Sequence, residues 1–396
     1  MHNPLIILSQ SNKILSLLYQ ESRLVQANAY PKEGSDLEAI YIGKVKNVVP
    51  SLEAAFVEYQ AGETGFLPLK RVKNPLLTNR AYDGRLVAGD ELLVQVEKEG
   101  IKTKSPGLTC NLSFTGKYAV LTLGIQTLGY SGKLSKTQKE YLSSALMEKL
   151  PEERPGEEKA GLIIRTNAGE LEDLQPLFQE LDQLLALKNR VLKEAMHRTC
   201  FSCLYQPAPA WLCGVRDLYG FSYDKILTDD PEIFKQIREY LPDETRLELY
   251  QDQRISLERL YNVKTRIAEA LAEKVWLKSG AYLIIQPTEA LTVIDVNSGK
   301  QQKKKPGDDI FYRINQEAAK EIALQLRLRN ISGIIIIDFI SQDSDRLDKQ
   351  LLQELTNLVR MDPVQTDVID ITPLGLVELT RKKINKSLKE QLESGK

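Results

Sequence analysis

Two apolar runs that each close on an aspartate constrain this chain more than any other feature. They are ALTVIDVN, which ends in Asp295, Val296 and Asn297, and IIIIDFI, which carries Asp338. Between them, residues 308–329 form a helical pattern with Ile310, Ile314, Ala318, Ile322 and Leu326 on one stripe. A strand–helix–strand unit almost always crosses over right-handed, so its strands are parallel and usually neighbours or nearly so. In such sheets the ligand crevice lies at the carboxyl ends of the strands. The pattern therefore predicts Asp295 and Asp338 together at one sheet edge, with Asn297 on the same face as Asp295.

Two carboxylates at such a rim repel unless one is protonated or a cation neutralises them. A hard divalent cation is the commoner functional solution, and Mg²⁺ with one or two carboxylates and several waters suits phosphate chemistry. Lys303, Lys304 and Lys305, with Lys300, leave the same edge and suit a phosphate backbone. Taken alone, the first segment is also readable as a capped strand end followed by a solvated lysine loop. Asp338 at the matching place in a second apolar run turns the balance toward a metal site. The sequence has only two histidines, His2 at the terminus and His197 on the long helical pattern, which argues against cleavage by a paired-histidine acid and base.

The rest of the chain frames that unit. Its 396 residues suffice for two to four domains, and a formal charge of -1 gives no global basic field, so any polyanion binding rests on local patches. No apolar run reaches membrane-spanning length. Four cysteines suggest a reducing cytoplasm. Short strands are expected over the first 30 residues, then a linker over Pro31–Asp36. The runs IYIGKVKNVV, AAFVEY, TGFLPL and ELLVQVEKE read as a small barrel, and 113–133 as further strands. A helix is expected over Leu171–His197, starting near Leu174 because of Pro176. Beyond it, WLCGV reads as a strand, while Pro231–Tyr240, Ile255–Lys274 and Arg346–Leu358 read as helices, with a strand near Thr366–Ile371.

EALTVIDVNSGK, QLRLRN-x-x-GIIIIDFI and LGLVELTRKK resemble the catalytic signatures of the ribonuclease E/G family. YIGKVKNVVPSLEAAFVEYQAGETGFLPL resembles that family's S1-type RNA-binding barrel, and GLIIRTNAG its 5′-phosphate pocket. The motifs stand in the family's order. The resemblance implies a mixed α+β and α/β chain of several subdomains. An RNase H-like subdomain, 1–35 and 205–275, would contain an inserted S1-type OB barrel, 36–112, and a 5′-sensor, 113–204; a DNase I-like catalytic subdomain, 276–396, would follow. It also implies Mg²⁺, or Mn²⁺ in its place, on Asp295 and Asp338, with Asn297 beside the scissile phosphate. Phe56, Phe66 and Lys104 would face RNA, and Gly129, Ser131, Arg165 and Thr166 would line the 5′-phosphate pocket. For Phe56 and Phe66 the competing reading is barrel core.

The chain departs from the pattern in several places. The CPxC zinc-link is missing and the sequence stops at KSLKEQLESGK, so a short form without the small C-terminal domain is expected. A zinc-linked tetramer is not expected, and a homodimer is left open. His197, Cys200, Cys203 and Cys213 include one CxxC, which without a second pair points to ordinary thiols rather than zinc. Gln365 stands about where the family often has a basic 5′-pocket residue, and Ser341 replaces an acid that Asp343 or Asp345 could supply. The resulting expectation is a cytoplasmic, Mg²⁺-dependent endoribonuclease on single-stranded RNA, leaving 5′-phosphate and 3′-hydroxyl ends in RNA processing and turnover. The alternative is a non-catalytic S1-type RNA-binding protein.

Overall fold

The computed structural model describes residues 3–32, 34–72, 74–98, 100, 105–123, 127–149, 160–218, 223–242, 244–299, 308–342 and 344–394. The chain divides into two compact units, Met1–Glu33 with Ala210–Lys396, and Gly34–Pro209. The first opens with an antiparallel meander of β1 (Pro4–Gln10), β2 (Lys13–Gln20) and β3 (Arg23–Pro31). Glu21 and Ser22 turn the second hairpin at φ 47° and 66°, the sign that a two-residue type I′ turn requires.

In the second unit, β4 (Ile40–Val49), β5 (Ala54–Gln60), β6 (Glu63–Pro68), β7 (Glu91–Lys98) and β8 (Gly107–Thr109) form a barrel. Their order is β4-β5-β6-β8-β7, closed by β7 on β4. Ala55, Val57, Tyr59, Leu67, Leu92, Val94 and Val96 fill it, following the period-two alternation of barrel strands. A second sheet comprises β9 (Ser113–Thr115), β10 (Ala119–Leu123), β11 (Leu128–Tyr130) and β12 (Ala160–Ile164). Against it pack Leu142 and Leu146 of α1 (Lys136–Lys149) and Leu177, Leu181 and Leu184 of α2 (Gln175–Ala195). Pro176 lies in the first turn of α2, where its missing N–H costs nothing. β13 (Cys203–Tyr205) pairs with β4.

The chain then completes the first unit with α3 (Ala210–Arg216), β14 (Lys225–Thr228), α4 (Pro231–Tyr240) and β15 (Leu247–Leu249). β14 joins β1 in parallel, giving the order β15-β14-β1-β2-β3. Two expectations fail here. WLCGV is helix α3, because five apolar residues carry no period that separates helix from strand. The helix expected over Ile255–Lys274 splits into α5 (Leu257–Leu260) and α6 (Val263–Leu271) around Asn262, whose φ of 50° breaks it.

A six-stranded sheet follows: β16 (Lys274–Trp276), β17 (Tyr282–Pro287), β18 (Leu291–Asn297), β19 (Gly333–Asp338), β20 (Thr366–Ile371) and β21 (Leu376–Arg381). Its order is β16-β17-β18-β19-β21-β20, parallel between β18 and β19 and antiparallel elsewhere. Ile294, Val296, Ile335, Ile337 and Leu379 bury one face against α7 (Asp308–Leu328) and α8 (Asp345–Arg360). Ile334 on the opposite face is 51% exposed, so IIIID is covered on one side only, not on both. α9 (Leu388–Glu393) starts with a Ser387–Glu390 capping box, and the Gln391 carboxamide accepts from the Ala29 amide of β3 at 2.8 Å. Among the described residues no helix is long and apolar enough to cross a membrane.

Candidate active site

The parallel ladder sets Asp295 directly opposite Asp338 at the carboxyl ends of β18 and β19. Neighbouring strands lie about 5 Å apart, so the carboxylates leave the open face as neighbours. Asp338 is exposed, and Asp295 and Asn297 are half-buried. Asn297 Nδ2 donates to Asp295 Oδ2 at 2.6 Å, fixing that carboxylate and leaving its other oxygen outside this bond. Two adjacent carboxylates with water access match what Mg²⁺ takes, one or two acids with the remaining positions filled by water. Among the described residues, no group of three or more His, Cys, Asp or Glu forms a fuller ligand set.

Helix α7 holds the segment after β19 and the turn between β16 and β17. Asn315 is fully buried; its Nδ2 donates to the Ile340 carbonyl at 2.8 Å, and its Oδ1 accepts from the Ile340 amide at 3.1 Å. That clamp grips the backbone two residues past Asp338. Glu317 accepts from the Lys278 amide at 2.6 Å and the Ser279 amide at 3.3 Å, anchoring the turn between β16 and β17. Against this turn lies Gly299, at φ 65°, where a Cβ would sit 2.4 Å from the Gly280 carbonyl oxygen. Only glycine fits where the chain leaves Asn297. Glu378 of β21, opposite Ile336, adds a further carboxylate to the open face.

Sequence reasoning missed Asn315, Glu317, Gly299 and Glu378. A buried asparagine on the apolar stripe of a helix was the one available signal. Lys300, Lys303, Lys304, Lys305, Lys104 and Asp343 lie outside the described residues. Ser341 is exposed, and Gln365 donates to Asp367 at 3.1 Å.

The arginines of LRLRN, Arg327 and Arg329, and Arg381 of β21 are structural. Arg381 donates to Asp362 at 3.1 Å and to Asn330 and the Ile331 carbonyl at 2.9 Å, all buried. Arg327 donates to Gln26, and Arg329 Nε to Gln325 at 2.6 Å. Burial pushes both Arg327 and Arg329 down to about 10.

In the other unit, β11 and β12 run parallel with Gly129 opposite Ile163, which brings the segments after them together. Ser131 Oγ and Thr166 Oγ1 meet at 2.8 Å, and the Ser131 amide donates to the Ile164 carbonyl at 2.8 Å. The Arg165 guanidinium donates to the Gly116 carbonyl. Glu180 of α2 holds that loop by accepting from the amides of Lys117, Tyr118 and Ala119 at 2.5, 2.8 and 2.9 Å. A Cβ on Gly116 would lie 2.3 Å from the Glu180 carboxyl carbon. On the barrel, Phe56 and Phe66 pair across β5 and β6, edge to face at 5.9 Å. Both alternate with the core residues Val57 and Leu67, so they lie outside the barrel core.

Cys200 donates to the Ile42 carbonyl at 3.6 Å and Cys203 to the Tyr205 carbonyl at 3.5 Å, and burial raises both thiols. Cys213 lies on α3 in the other unit, 3.9 Å from the Tyr240 hydroxyl.

Comparison with known proteins bears on this arrangement directly. The model of the Ribonuclease E/G family matches residues 113–384, which include Asp295, Asn297 and Asp338. Ribonuclease E of Synechocystis sp. is 32% identical over 396 residues, covering 97% of this chain and 57% of that protein. Ribonuclease G of Salmonella typhimurium is 32% identical over 370 residues, 89% of this chain and 74% of the relative, and Ribonuclease G of Escherichia coli is 31% identical over 369. The chain thus spans a little over half of the first of these relatives and about three quarters of the others. A family match over most of the sequence, with relatives above 30% identity, means that this chain belongs to the ribonuclease E/G family.

Proposed function

We propose that the chain is a metal-dependent endoribonuclease that cuts single-stranded RNA in RNA processing and turnover, leaving a 5′-phosphate and a 3′-hydroxyl. The observation that carries this reading is the opposition of Asp295 and Asp338 at the ends of two parallel strands. A Mg²⁺ or Mn²⁺ ion held by those two carboxylates supplies charge neutralisation at phosphate and acidification of water. Asn297, pinned to Asp295, keeps amide capacity to orient the scissile phosphate. The open face lets a flexible strand lie across the pair, whereas a closed cavity would exclude it.

The remaining parts support the same reading. Phe56 and Phe66 offer outward ring surface for bases, worth roughly 1–3 kcal/mol each without sequence demand. Ser131, Thr166, Arg165 and Gly129 would form the 5′-phosphate pocket; hydroxyl, guanidinium and backbone donors are the chemistry a terminal monophosphate needs. Strand order β15-β14-β1-β2-β3, parallel over the first two pairings and antiparallel over the last two, supports an RNase H-like subdomain. The five-stranded barrel supports the S1-type one, and the sheet packed by α7 and α8 the DNase I-like one.

The test is Asp338→Asn. Cleavage of a single-stranded RNA by the mutant is lost, and binding, followed by anisotropy in EDTA, stays near that of the parent. Cleavage persisting in EDTA or in the mutant would refute the mechanism. A parent that binds RNA and never cuts it would favour the binding-protein alternative.

A further inference from the structure

We propose that Trp276 and Tyr282 form a stacking platform for a base flanking the scissile phosphate, with Lys274 taking the adjoining backbone phosphate. The proposal rests on the ribonuclease reading above and adds a substrate subsite to it. Its basis is register. Trp276 pairs with Tyr282 across β16 and β17, and Tyr282 pairs with Asn297 across β17 and β18. The row Trp276, Tyr282, Asn297 therefore runs straight across the open face to the residue bonded to Asp295. Two strand spacings place Trp276 roughly 10 Å from Asn297, within the span of neighbouring nucleotides on an extended strand.

Packing alone does not account for the pair. The rings meet edge to face at 5.2 Å, which a sheet uses for cross-strand support. A ring kept for burial would be covered, yet Trp276 is 64% exposed, whereas the other tryptophan, Trp211, is 1% exposed. Lys274 Nζ lies 4.0 Å from the Trp276 centroid and 3.6 Å from the Tyr282 centroid. Among the described residues no carboxylate forms an ion pair with it. A cation between two aromatic faces, unneutralised by acid, matches the pairing of base stacking with phosphate contact that single-strand binders use. Around the edge strand, toward α7, lies a cavity of about 330 Å³ walled by Lys274, Val275 and Trp276, by the Arg266–Glu269 ion pair and by Gln325. Further along the same open face Asp295, Asp338 and Glu378 make the surface acidic, so the platform is where the polyanion gains attraction without the metal.

The chain's two tryptophans make the test direct, since only Trp276 is exposed. In EDTA, a short single-stranded oligoribonucleotide is titrated onto the intact chain. Tryptophan emission is read in parallel with the anisotropy of a dye on the RNA. Emission is quenched in step with binding, and acrylamide access to the fluorophore falls. Trp276→Phe abolishes the quench and retains most of the affinity. Trp276→Ala weakens binding about 5- to 150-fold, and Lys274→Met lowers the slope of log affinity against log salt by about 0.7. Unchanged emission while anisotropy reports bound RNA, or parent-like binding by Trp276→Ala, overturns the platform and leaves the ribonuclease reading standing. An unchanged salt slope overturns the role of Lys274, and absence of any RNA binding overturns both readings.

Discussion

Asn315→Leu isolates what the buried clamp behind Asp338 contributes. Leucine keeps the branched four-atom skeleton of asparagine with bulkier ends, so the change removes two hydrogen bonds without opening a cavity. The bonds, at 2.8 and 3.1 Å to the carbonyl and amide of Ile340, are each worth about 0.5–1.5 kcal/mol net. Deleting the side chain also strands both backbone groups, and each unpaired group costs about 1–3 kcal/mol where water is excluded. Ile340 is half-buried, so water recovers part of that penalty. The working sum is about 2–4 kcal/mol. With a urea m-value near 2–3 kcal/mol/M, the midpoint falls by about 1 M at unchanged m. Cleavage should fall as well, mainly in kcat, because the segment leaving Asp338 loses its tether while the RNA-facing surfaces stay intact. A midpoint within about 0.2 M of the parent would refute the clamp as a source of stability. Parent-like kcat alongside the expected midpoint would refute its role in holding Asp338.

Other expectations follow from the same geometry. Glu180→Ala frees three backbone amides and should cost about 2–4 kcal/mol, a fall of roughly 5–15 °C in the melting of its unit; Gly116→Ala, which drives a Cβ into that carboxylate, should lower the same transition by calorimetry. Mg²⁺ at ten times its dissociation constant should stabilise the fold by about 1.4 kcal/mol, and a thermal shift that survives in Asp338→Asn would remove the metal from that carboxylate. In EDTA the same substitution should not destabilise, since it relieves two opposed like charges. The Arg80 guanidinium, bonded to Asp90 at 2.6 and 2.8 Å, holds that carboxyl below the usual range. A depressed carboxyl contributes stability that is complete above its unfolded value of about 3.9 and lost as pH falls through its folded value. Asp90→Asn should therefore be less stable at pH 7 and show a shallower acid limb below about pH 4 in denaturant titrations.

Much of the architecture was legible because local signals agreed with the fold. Pro231–Tyr240 carried proline in its first turn behind a capping Asp230, and the helix has those bounds. Only the family resemblance turned Phe56 outward, since its residue type favours the core; the structure has Val57 inside the barrel and Phe56 outside it, by the alternation of β5. The opposition of Asp295 and Asp338 was legible for a topological reason, since a crossover helix leaves parallel strands little freedom of register. What failed was decided beyond the reach of pattern. Asn262 enters the left-handed region and splits a helix that periodicity had continued. The apolar run IIIID leaves one face open, with Ile334 51% exposed, because which elements cover the sheet is decided elsewhere, and a run of isoleucines reads the same with one covered face or two. Asn315, Glu317 and Gly299 matter only through partners distant in sequence, so no local pattern marked them.

The pairing of β1 with β14 also has a consequence in time. Asn3 bonds to Asp224, 221 positions later, and β1 has no parallel partner until β14 exists. At about 5–20 residues per second, a ribosome needs roughly 10–45 s to deliver that partner. The unit Gly34–Pro209 is fully synthesised within the interval. The hairpins β1–β2–β3 must wait as a three-stranded sheet with β1 as an open edge, rich in leucine and isoleucine, a template for pairing with other chains. Slow translation through 34–224 would lengthen that exposure, so the inserted unit sets how long the nascent protein stays prone to aggregation.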